Sequence, residues 1–119
     1  MHQFRRLDVW REAVGLATKI YRLTGTYPKA EQYGLTAQMR RAAVSVSSNI
    51  AEGAGRGSSK DMARFLRVAI GSICELESQL EVSRNLGFVN DHVEGLISTA
   101  SLLKARIKTL EDQLLSPDT

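Results

Sequence analysis

The amino-acid sequence predicts an all-α protein, an antiparallel up-down-up-down four-helix bundle formed by residues 1–119 as a single domain. Three observations predict this fold class. Apolar residues recur every three or four positions in four segments, which is the spacing of one helix face. Glycine and helix-capping residues separate these segments. The chain has only two prolines, so long helices can form, and short connections make consecutive helices antiparallel.

The first two helices are separated by a connection rich in glycine and polar residues. The first is predicted over residues 8–24 and the second over residues 32–53. Their predicted core faces are Trp10, Ala13, Val14, Ala17 and Tyr21, and then Leu35, Met39, Ala42, Ala43, Val46 and Ile50. Gly53, Gly55 and Gly57 are expected to end the second helix, because glycine adopts left-handed conformations at little cost.

The third helix follows these glycines almost at once. Ser58 and Asp61 have the spacing of a capping box, so this helix is predicted over residues 58–86. Asn90 is predicted to cap the fourth helix, and residues 116–119 are expected to fray. The predicted core faces are Met62, Leu66, Ala69, Ile70, Ile73, Leu76 and Leu80, and then Val93, Leu96, Ala100, Leu103, Ile107, Leu110 and Leu114.

Composition narrows the class of protein. A single cysteine, Cys74, cannot form an internal disulfide and fits a reducing cytosol. It lies on the shoulder of the third helix's core face, so we expect a small core residue. No apolar run follows a basic start, and no window approaches the roughly 18 apolar residues of a membrane span. We therefore expect a cytoplasmic protein without a membrane partner.

Charge is distributed unevenly along the chain. Residues 1–70 hold 12 Lys and Arg against 5 Asp and Glu, whereas residues 71–119 hold 4 against 8. Such asymmetry can mark an acidic partner for the basic part. It can equally serve packing between copies of the protein, and the charges alone do not choose between the two.

No motif in the chain specifies a reaction. The glycine-rich residues 53–57 lack the preceding strand and the G-x-G-x-x-G spacing of a dinucleotide-binding loop. We interpret them as a helix end, with an anion bound at the start of the third helix as the alternative. Neither His2 nor His92 follows a glutamate by three residues, as di-iron bundles require, and one cysteine cannot complete a zinc set. We therefore expect no enzyme activity, cofactor or metal.

Three polar residues, Asn49, Glu77 and Arg84, are predicted to be buried for structural reasons. Glu77 falls in the middle of the apolar face of the third helix, and Arg84 shares that face one heptad later. Asn49 lies at the edge of the second helix's core face. Because a buried carboxylate is costly without a partner, we expect Arg84 or Asn49 to pair with Glu77. A buried cluster that sets helix register is preferred over a catalytic acid with a raised pKa.

Two helices carry a second apolar or small-residue stripe in addition to the core face. A lone bundle needs only one such stripe per helix. We therefore predict a subunit interface, against the alternative of scattered surface residues. The predicted interface comprises Ala37, Val44, Ser48 and Ala51 on the second helix and Val9, Leu16, Ile20 and Leu23 on the first.

A basic stripe, defined as Arg56, Lys60, Arg64 and Arg67, runs along the start of the third helix in steps of four, four and three residues. Arg40 of the second helix is predicted to join it. A run of charges is usually a solvated face; the alternative, which the leading functional hypothesis adopts, is a surface that follows the phosphates of RNA or DNA. No aromatic residue is interleaved in the stripe, so base stacking is not expected.

Several motifs resemble those of a known family. They are Phe4-x-x-Leu7-x-Val9-Trp10, the pattern Ser-x-x-x-Asn-Ile-Ala-Glu-Gly-x-x-Arg at residues 45–56, and then Phe65-Leu66, Gly71-Ser72 and Glu75-Leu76-Glu77. This set resembles the four-helix-bundle proteins encoded in intervening sequences of bacterial 23S rRNA genes. That family is in turn similar to the accessory protein of diversity-generating retroelements. The resemblance implies a four-helix bundle, assembly as a ring-like homopentamer, and work beside a nucleic-acid enzyme. It brings no known catalytic role for Asn49 or Glu52.

The leading functional hypothesis is a non-enzymatic cytosolic homo-oligomer that binds RNA, DNA or a nucleic-acid-processing enzyme through a basic surface. The main alternative is a protein-interaction scaffold without a nucleic-acid role. An enzyme is the third reading, and it requires a solvent-open polar pocket around Glu77. A salt-sensitive affinity for nucleic acid separates the first two hypotheses.

Overall fold

Four α-helices joined by short connections make up the computed structural model, which describes residues 3–117 and contains no strand in that range. The helices are α1 (Asp8–Thr24), α2 (Leu35–Ala54), α3 (Ser59–Asn85) and α4 (Val93–Leu115). Two short 3₁₀ turns, Phe4–Arg6 and Lys29–Glu31, precede α1 and α2. His2 and the last two residues of the tail that was expected to fray lie outside the described residues.

Side-chain bonds show that α3 is antiparallel to both of its neighbours along the chain. Ser72 and Ser83 of α3 contact Ser45 and Met39 of α2. Arg67, Glu77 and Arg84 of α3 contact Glu111, Lys104 and Glu94 of α4, so the α4 number falls as the α3 number rises. Each helix also packs against its neighbours along the chain, and α1 packs against α4. The prediction of an all-α four-helix bundle is therefore confirmed.

The helix boundaries differ slightly from the predicted ones. Ser58 caps α3 as expected, because its hydroxyl accepts a hydrogen bond from the Asp61 amide at 3.1 Å. Asn90 does not cap α4; its side chain accepts the His92 amide at 2.9 Å and closes the turn that precedes the helix. Gly87 ends α3 with a φ of 77°, the left-handed conformation that suits glycine.

The core runs the length of the bundle along the predicted faces of α2, α3 and α4. Every residue of the predicted α3 face is buried, and the predicted α2 and α4 faces are buried or packed against the core. The largest fully buried side chains include Met39, Ile50, Leu66, Ile73, Leu80 and Ile107. Cys74 is not among the core residues: it is exposed, so that prediction is wrong.

The predicted core face of α1 is only partly confirmed: Ala13 is buried and Trp10 and Ala17 pack against the core, but the most deeply buried face is rotated away from Val14 and Tyr21. Val9, Leu16 and Ile20 are buried beside Ala13, whereas Val14 and Tyr21 are exposed. The two candidate faces share Ala13, and the observed one buries larger aliphatic side chains while the Tyr21 hydroxyl stays in water. The prediction of Val9, Leu16 and Ile20 as exposed interface residues is therefore wrong.

A buried polar contact joins the α1–α2 connection to α3. The Tyr27 hydroxyl donates to the Ser83 hydroxyl at 2.6 Å, and that hydroxyl in turn donates to the Gln79 carbonyl at 2.8 Å. Burial raises the pKa of the Tyr27 phenol, which keeps it protonated as a donor. This contact holds the connection against the core at the end of the bundle opposite Gly53.

Candidate nucleic-acid interface

The structure places the basic stripe at one end of the bundle. Arg56 lies in the α2–α3 connection, and the other three residues lie in the first turns of α3. Lys60, Arg64 and Arg67 line an open groove of about 510 Å³ together with Glu111 and Leu115, which lie near the end of α4. Asp61 also lines the groove, so three cations of the stripe lie beside two carboxylates, and α4 contributes no cation to the lining.

Two of these arginines are held by exposed carboxylates on their own helix or on the end of α2. Arg56 contacts Glu52 at 3.0 Å, and Arg64 contacts Asp61 at 3.2 Å. Such exposed pairs contribute roughly 0.3–0.5 kcal/mol, because water competes for both charges. Lys60 makes no ion pair with any of residues 3–117. These three cations are therefore free, or nearly free, to bind another anion.

Arg67 has a different role, because its partner is buried. Its Nε and Nη2 atoms donate to the two Glu111 carboxylate oxygens at 2.9 and 2.6 Å. The Glu111 side chain is only 5% exposed, and Lys108 approaches it at 3.2 Å. Arg67 itself is 57% exposed. Without Arg67 the buried Glu111 carboxylate would lose its bidentate partner. Arg67 therefore stabilises the folded state.

Glu111 was not predicted, although its position carried a signal. It lies four residues after Ile107, on the apolar face of α4, where a charged residue is unusual. The same reasoning that singled out Glu77 on α3 applies to Glu111, and the structure shows that Glu111 is the more deeply buried of the two.

An aromatic ring lies within the stripe, contrary to the expectation from the sequence. The guanidinium carbons of Arg56 and Arg64 lie 4.9 and 5.5 Å from the centre of the Phe65 ring. Phe65 is adjacent to Arg64 in sequence, but Arg56 reaches it only because the α2–α3 connection folds back. The spacing along α3 alone could not show this cluster.

Gly53 explains why α2 and α3 come so close at this end. A Cβ atom added at Gly53 would lie 2.9 Å from the Phe65 Cβ and 3.2 Å from the Met62 carbonyl oxygen. Its φ is not positive, so the expected left-handed conformation is wrong, as it is for Gly55 and Gly57. The missing side chain, rather than the backbone conformation, is what this position requires.

Arg40 does not join the basic stripe. Its Nε donates to the Thr24 hydroxyl at 2.9 Å, its Nη2 donates to the Tyr21 carbonyl at 3.1 Å, and it lies 4.6 Å from the Tyr21 ring centre. Arg40 thus adds a side-chain hydrogen bond to the Tyr21 carbonyl in the last turn of α1, which also accepts the Gly25 amide at 3.1 Å. It lies 13 residues before Gly53 along α2, roughly 20 Å at 1.5 Å per residue.

Glu77 and Arg84 do not pair with each other. Glu77 accepts a hydrogen bond from Lys104 of α4 at 2.6 Å, and both side chains are partly exposed. This hydrogen bond is the main cause of a raised Lys104 pKa. Arg84 instead bridges Glu81 and Glu94. Both residues bind α3 to neighbouring charges at the bundle surface, so the predicted buried cluster is wrong.

Asn49 also takes part in a separate contact. Its side-chain amide donates to the Ser45 carbonyl at 2.8 Å and to the Ser45 hydroxyl at 3.0 Å. The Ser45 hydroxyl lies 2.9 Å from that of Ser72, which joins α2 to α3. The polar residues of the 45–56 motif therefore bridge the two helices, and Asn49 is only partly buried.

The predicted stripe on α2 lies at the surface between α1 and α2. Val44 and Ser48 are exposed, and Ala37 and Ala51 are partly buried. Arg40 lies over the Tyr21 ring, so the exposed Val14 and Tyr21 of α1 flank the same side of α2. Leu23 is partly buried against the core. We define the α1–α2 face by its members, Val14, Tyr21, Ala37, Val44, Ser48 and Ala51.

Metal sites and membrane-spanning helices were also considered for residues 3–117. No three His, Cys, Asp or Glu residues among residues 3–117 are grouped so that they could hold a metal ion. None of the four helices contains a stretch that is both long and apolar enough to cross a membrane, as judged over the same residues.

Comparison with known proteins identifies the family. A family model described as 23S rRNA-intervening sequence protein matches residues 5–109, which include α1, α2, α3 and most of α4. No curated protein matches the chain. The match includes the 45–56 motif, whose glycine, serine and asparagine build the α2–α3 contact. The chain belongs to the 23S rRNA-intervening sequence protein family.

Proposed function

We propose that the protein is a non-enzymatic, cytosolic homo-oligomer that binds the phosphate backbone of nucleic acid through its basic stripe. One observation carries the proposal. Lys60, Arg64 and Arg67 converge on a single open groove, and neither Lys60 nor Arg64 is committed to the fold.

The energetics favour exchange of a carboxylate for a phosphate at this surface. Because the Arg56 and Arg64 pairs are exposed, giving them up costs only roughly 0.3–0.5 kcal/mol each. An arginine bound to phosphate releases condensed counterions, which is the main source of sequence-independent affinity. The resulting binding depends little on sequence and strongly on salt.

One observation favours the alternative of a protein-interaction scaffold. Each arginine of the stripe already has a carboxylate within 3.2 Å, so the stripe carries less free charge than its sequence suggests. Complete absence of nucleic-acid binding at low salt would leave the scaffold as the function, with a nucleic-acid-processing enzyme or another protein as its partner.

The oligomer is proposed to form through the α1–α2 face. Its valines, Val14 and Val44, are exposed in the single chain, and the small residues beside them let another helix approach closely. The family resemblance implies five subunits. A ring would repeat the basic stripe on each subunit, so weak phosphate contacts would add through avidity.

Reversing the charge of the free part of the stripe is expected to abolish binding. The double variant Lys60→Glu, Arg64→Glu should lose at least about tenfold in affinity for mixed-sequence RNA and DNA, because two phosphate contacts become repulsive. Wild-type affinity for duplex DNA should fall with salt at a log–log slope of about −0.9 per phosphate neutralised. Filter binding from low to moderate salt measures both. Arg67 is left intact, because a second carboxylate beside Glu111 would disturb the fold.

The matched control is Lys19→Glu, Arg22→Glu on α1, which makes the same change of charge away from the groove. Both control residues are exposed and neither makes an ion pair with the described residues. Its affinity should remain close to wild type at moderate salt, where distant charges are screened. An equal loss in the two double variants would show that net charge, rather than the stripe, determines binding.

Introducing a charge into the α1–α2 face is expected to dissociate the oligomer. Size exclusion with light scattering should give about five times 13.1 kDa for the wild type and a smaller mass for Val44→Glu, because assembly would bury an unpaired carboxylate. Val82→Glu on α3 is the control, since Val82 is 44% exposed and Val44 is 40% exposed. A wild-type monomer at micromolar concentration would contradict the assembly, and dissociation by both variants would contradict the assigned face.

A further inference from the structure

We propose that the basic stripe prefers single-stranded nucleic acid over duplex, because bases can stack on the cluster of Arg56, Phe65 and Arg64. This inference rests on the proposed nucleic-acid binding and names the class of polymer that the surface accepts. It is carried by two guanidinium groups that lie near the Phe65 ring, 4.9 and 5.5 Å from its centre.

Each of the two guanidinium groups contacts both the Phe65 ring and a carboxylate. Phe65 lies against one part of each, and the Glu52 and Asp61 carboxylates bond the other part. The arginine side chains nevertheless remain 46% and 69% exposed. Each therefore presents to solvent a planar surface that the Phe65 ring helps to orient, while its exposed carboxylate partner can be exchanged for phosphate.

Such surfaces fit the unstacked bases of a single strand. Bases stack on aromatic rings and on guanidinium planes, and each stacked base contributes roughly 1–3 kcal/mol with little sequence preference. In a duplex the base faces are covered by their neighbours, so only the phosphates can reach the stripe. A single strand can use both kinds of contact, with Lys60 and the arginine charges on its phosphates.

The same arrangement recurs beside the stripe. Arg5 lies 4.6 Å from the centre of the Phe4 ring, and Phe4 packs edge-on against Trp10 at 5.0 Å. Phe4 and Arg5 belong to the first 3₁₀ turn, which packs against α2. Because α1 and α2 are antiparallel, this turn lies at the same end of the bundle as the α2–α3 connection. This end of the bundle therefore holds a second arginine–aromatic contact.

A fourth arginine–aromatic pair, Arg40 over Tyr21, serves as an internal comparison. It lies toward the opposite end of the bundle, and its guanidinium is occupied by the Thr24 hydroxyl and the Tyr21 carbonyl. That guanidinium is used for the contact between α1 and α2. Bases are therefore expected to stack on the Phe65 cluster and not on the Arg40–Tyr21 pair.

Fluorescence anisotropy with a short mixed-sequence strand, free and annealed into a duplex, tests the proposal at one salt concentration. Wild-type protein should bind the single strand more tightly. Phe65→Leu keeps an apolar side chain but removes the ring, and should weaken single-strand binding by about tenfold, the loss of one stacked base. Duplex affinity should change little. Tyr33→Leu, which removes a 90% exposed ring in the α1–α2 connection at the other end of the bundle, should change neither.

A second variant keeps the proposal testable if Phe65→Leu disturbs the fold. Arg56→Lys, Arg64→Lys preserves both charges but removes the planar guanidinium groups. It should lower single-strand affinity and leave duplex affinity close to wild type.

The outcomes separate this inference from the proposed function. Equal affinity for strand and duplex, or full single-strand affinity in the lysine variant, would overturn stacking while leaving phosphate binding intact. The same would follow if Phe65→Leu folds and loses no more affinity than Tyr33→Leu. Absence of binding to either polymer at low salt would overturn both.

Discussion

Replacing Arg67 by alanine is expected to lower the free energy of unfolding by about 3 kcal/mol, at the low end of the cost of breaking a buried ion pair. The loss is large because Glu111 is 5% exposed and would keep its charge without its bidentate partner. Lys108 remains at 3.2 Å and limits the loss. Urea unfolding followed by circular dichroism, at matched protein concentration, measures the difference.

Two further variants test whether the unpaired Glu111 carboxylate causes the loss of stability in Arg67→Ala. Arg64→Ala removes an arginine one turn away whose partner is exposed, and should cost no more than about 0.5 kcal/mol. Arg67→Ala combined with Glu111→Leu should recover most of the lost stability, because an apolar residue replaces the buried carboxylate. Equal losses for Arg64→Ala and Arg67→Ala would contradict this account of Glu111.

Replacing Gly53 by alanine is expected to destabilise the protein by about 2 kcal/mol, the cost of overpacking a close helix contact. The new Cβ would lie 2.9 Å from the Phe65 Cβ and 3.2 Å from the Met62 carbonyl oxygen. Neither atom is the free end of a flexible side chain, so α2 and α3 must move apart. Thermal and urea unfolding measure the loss.

Gly71→Ala is the matched control, because the same methyl group would meet no atom within 4 Å. Gly71 lies in the interior of α3, where alanine is the better helix former, so the variant should gain roughly 0.5–1 kcal/mol. If Gly53→Ala were as stable as Gly71→Ala, the close approach at Gly53 would not constrain the α2–α3 contact.

All four helices were predicted, and the buried faces of α2, α3 and α4 were predicted correctly. The buried face of α1 was only partly correct, for a physical reason. On α2, α3 and α4 one apolar stripe is clearly richer in large aliphatic residues than the rest of the surface. On α1 two stripes share Ala13, one containing Trp10 and Tyr21 and the other Leu16 and Ile20. Periodicity gives both the same weight, so only packing against the other helices decides between them.

The sequence predicted the positions of site residues that lie on one helix. It could not predict the contacts that these residues make with another helix. Spacing within α3 places Lys60, Arg64 and Arg67 on one face. The partner of Arg67 is 44 residues away along the chain, and no local pattern connects them. Arg40 was misplaced for the same reason, since its contacts with the end of α1 set its direction.

The contact between Arg67 and Glu111 has a consequence for local opening of the chain. Glu111 lies one turn before the end of α4 at Leu115, in a region where helices ordinarily fray because their last carbonyls lack partners. Fraying this turn would break a two-point bond to Arg67 in the third turn of α3 and carry a carboxylate out of the core. We therefore expect the end of α4 to open only together with its contact to α3, which would also change the groove of the basic stripe.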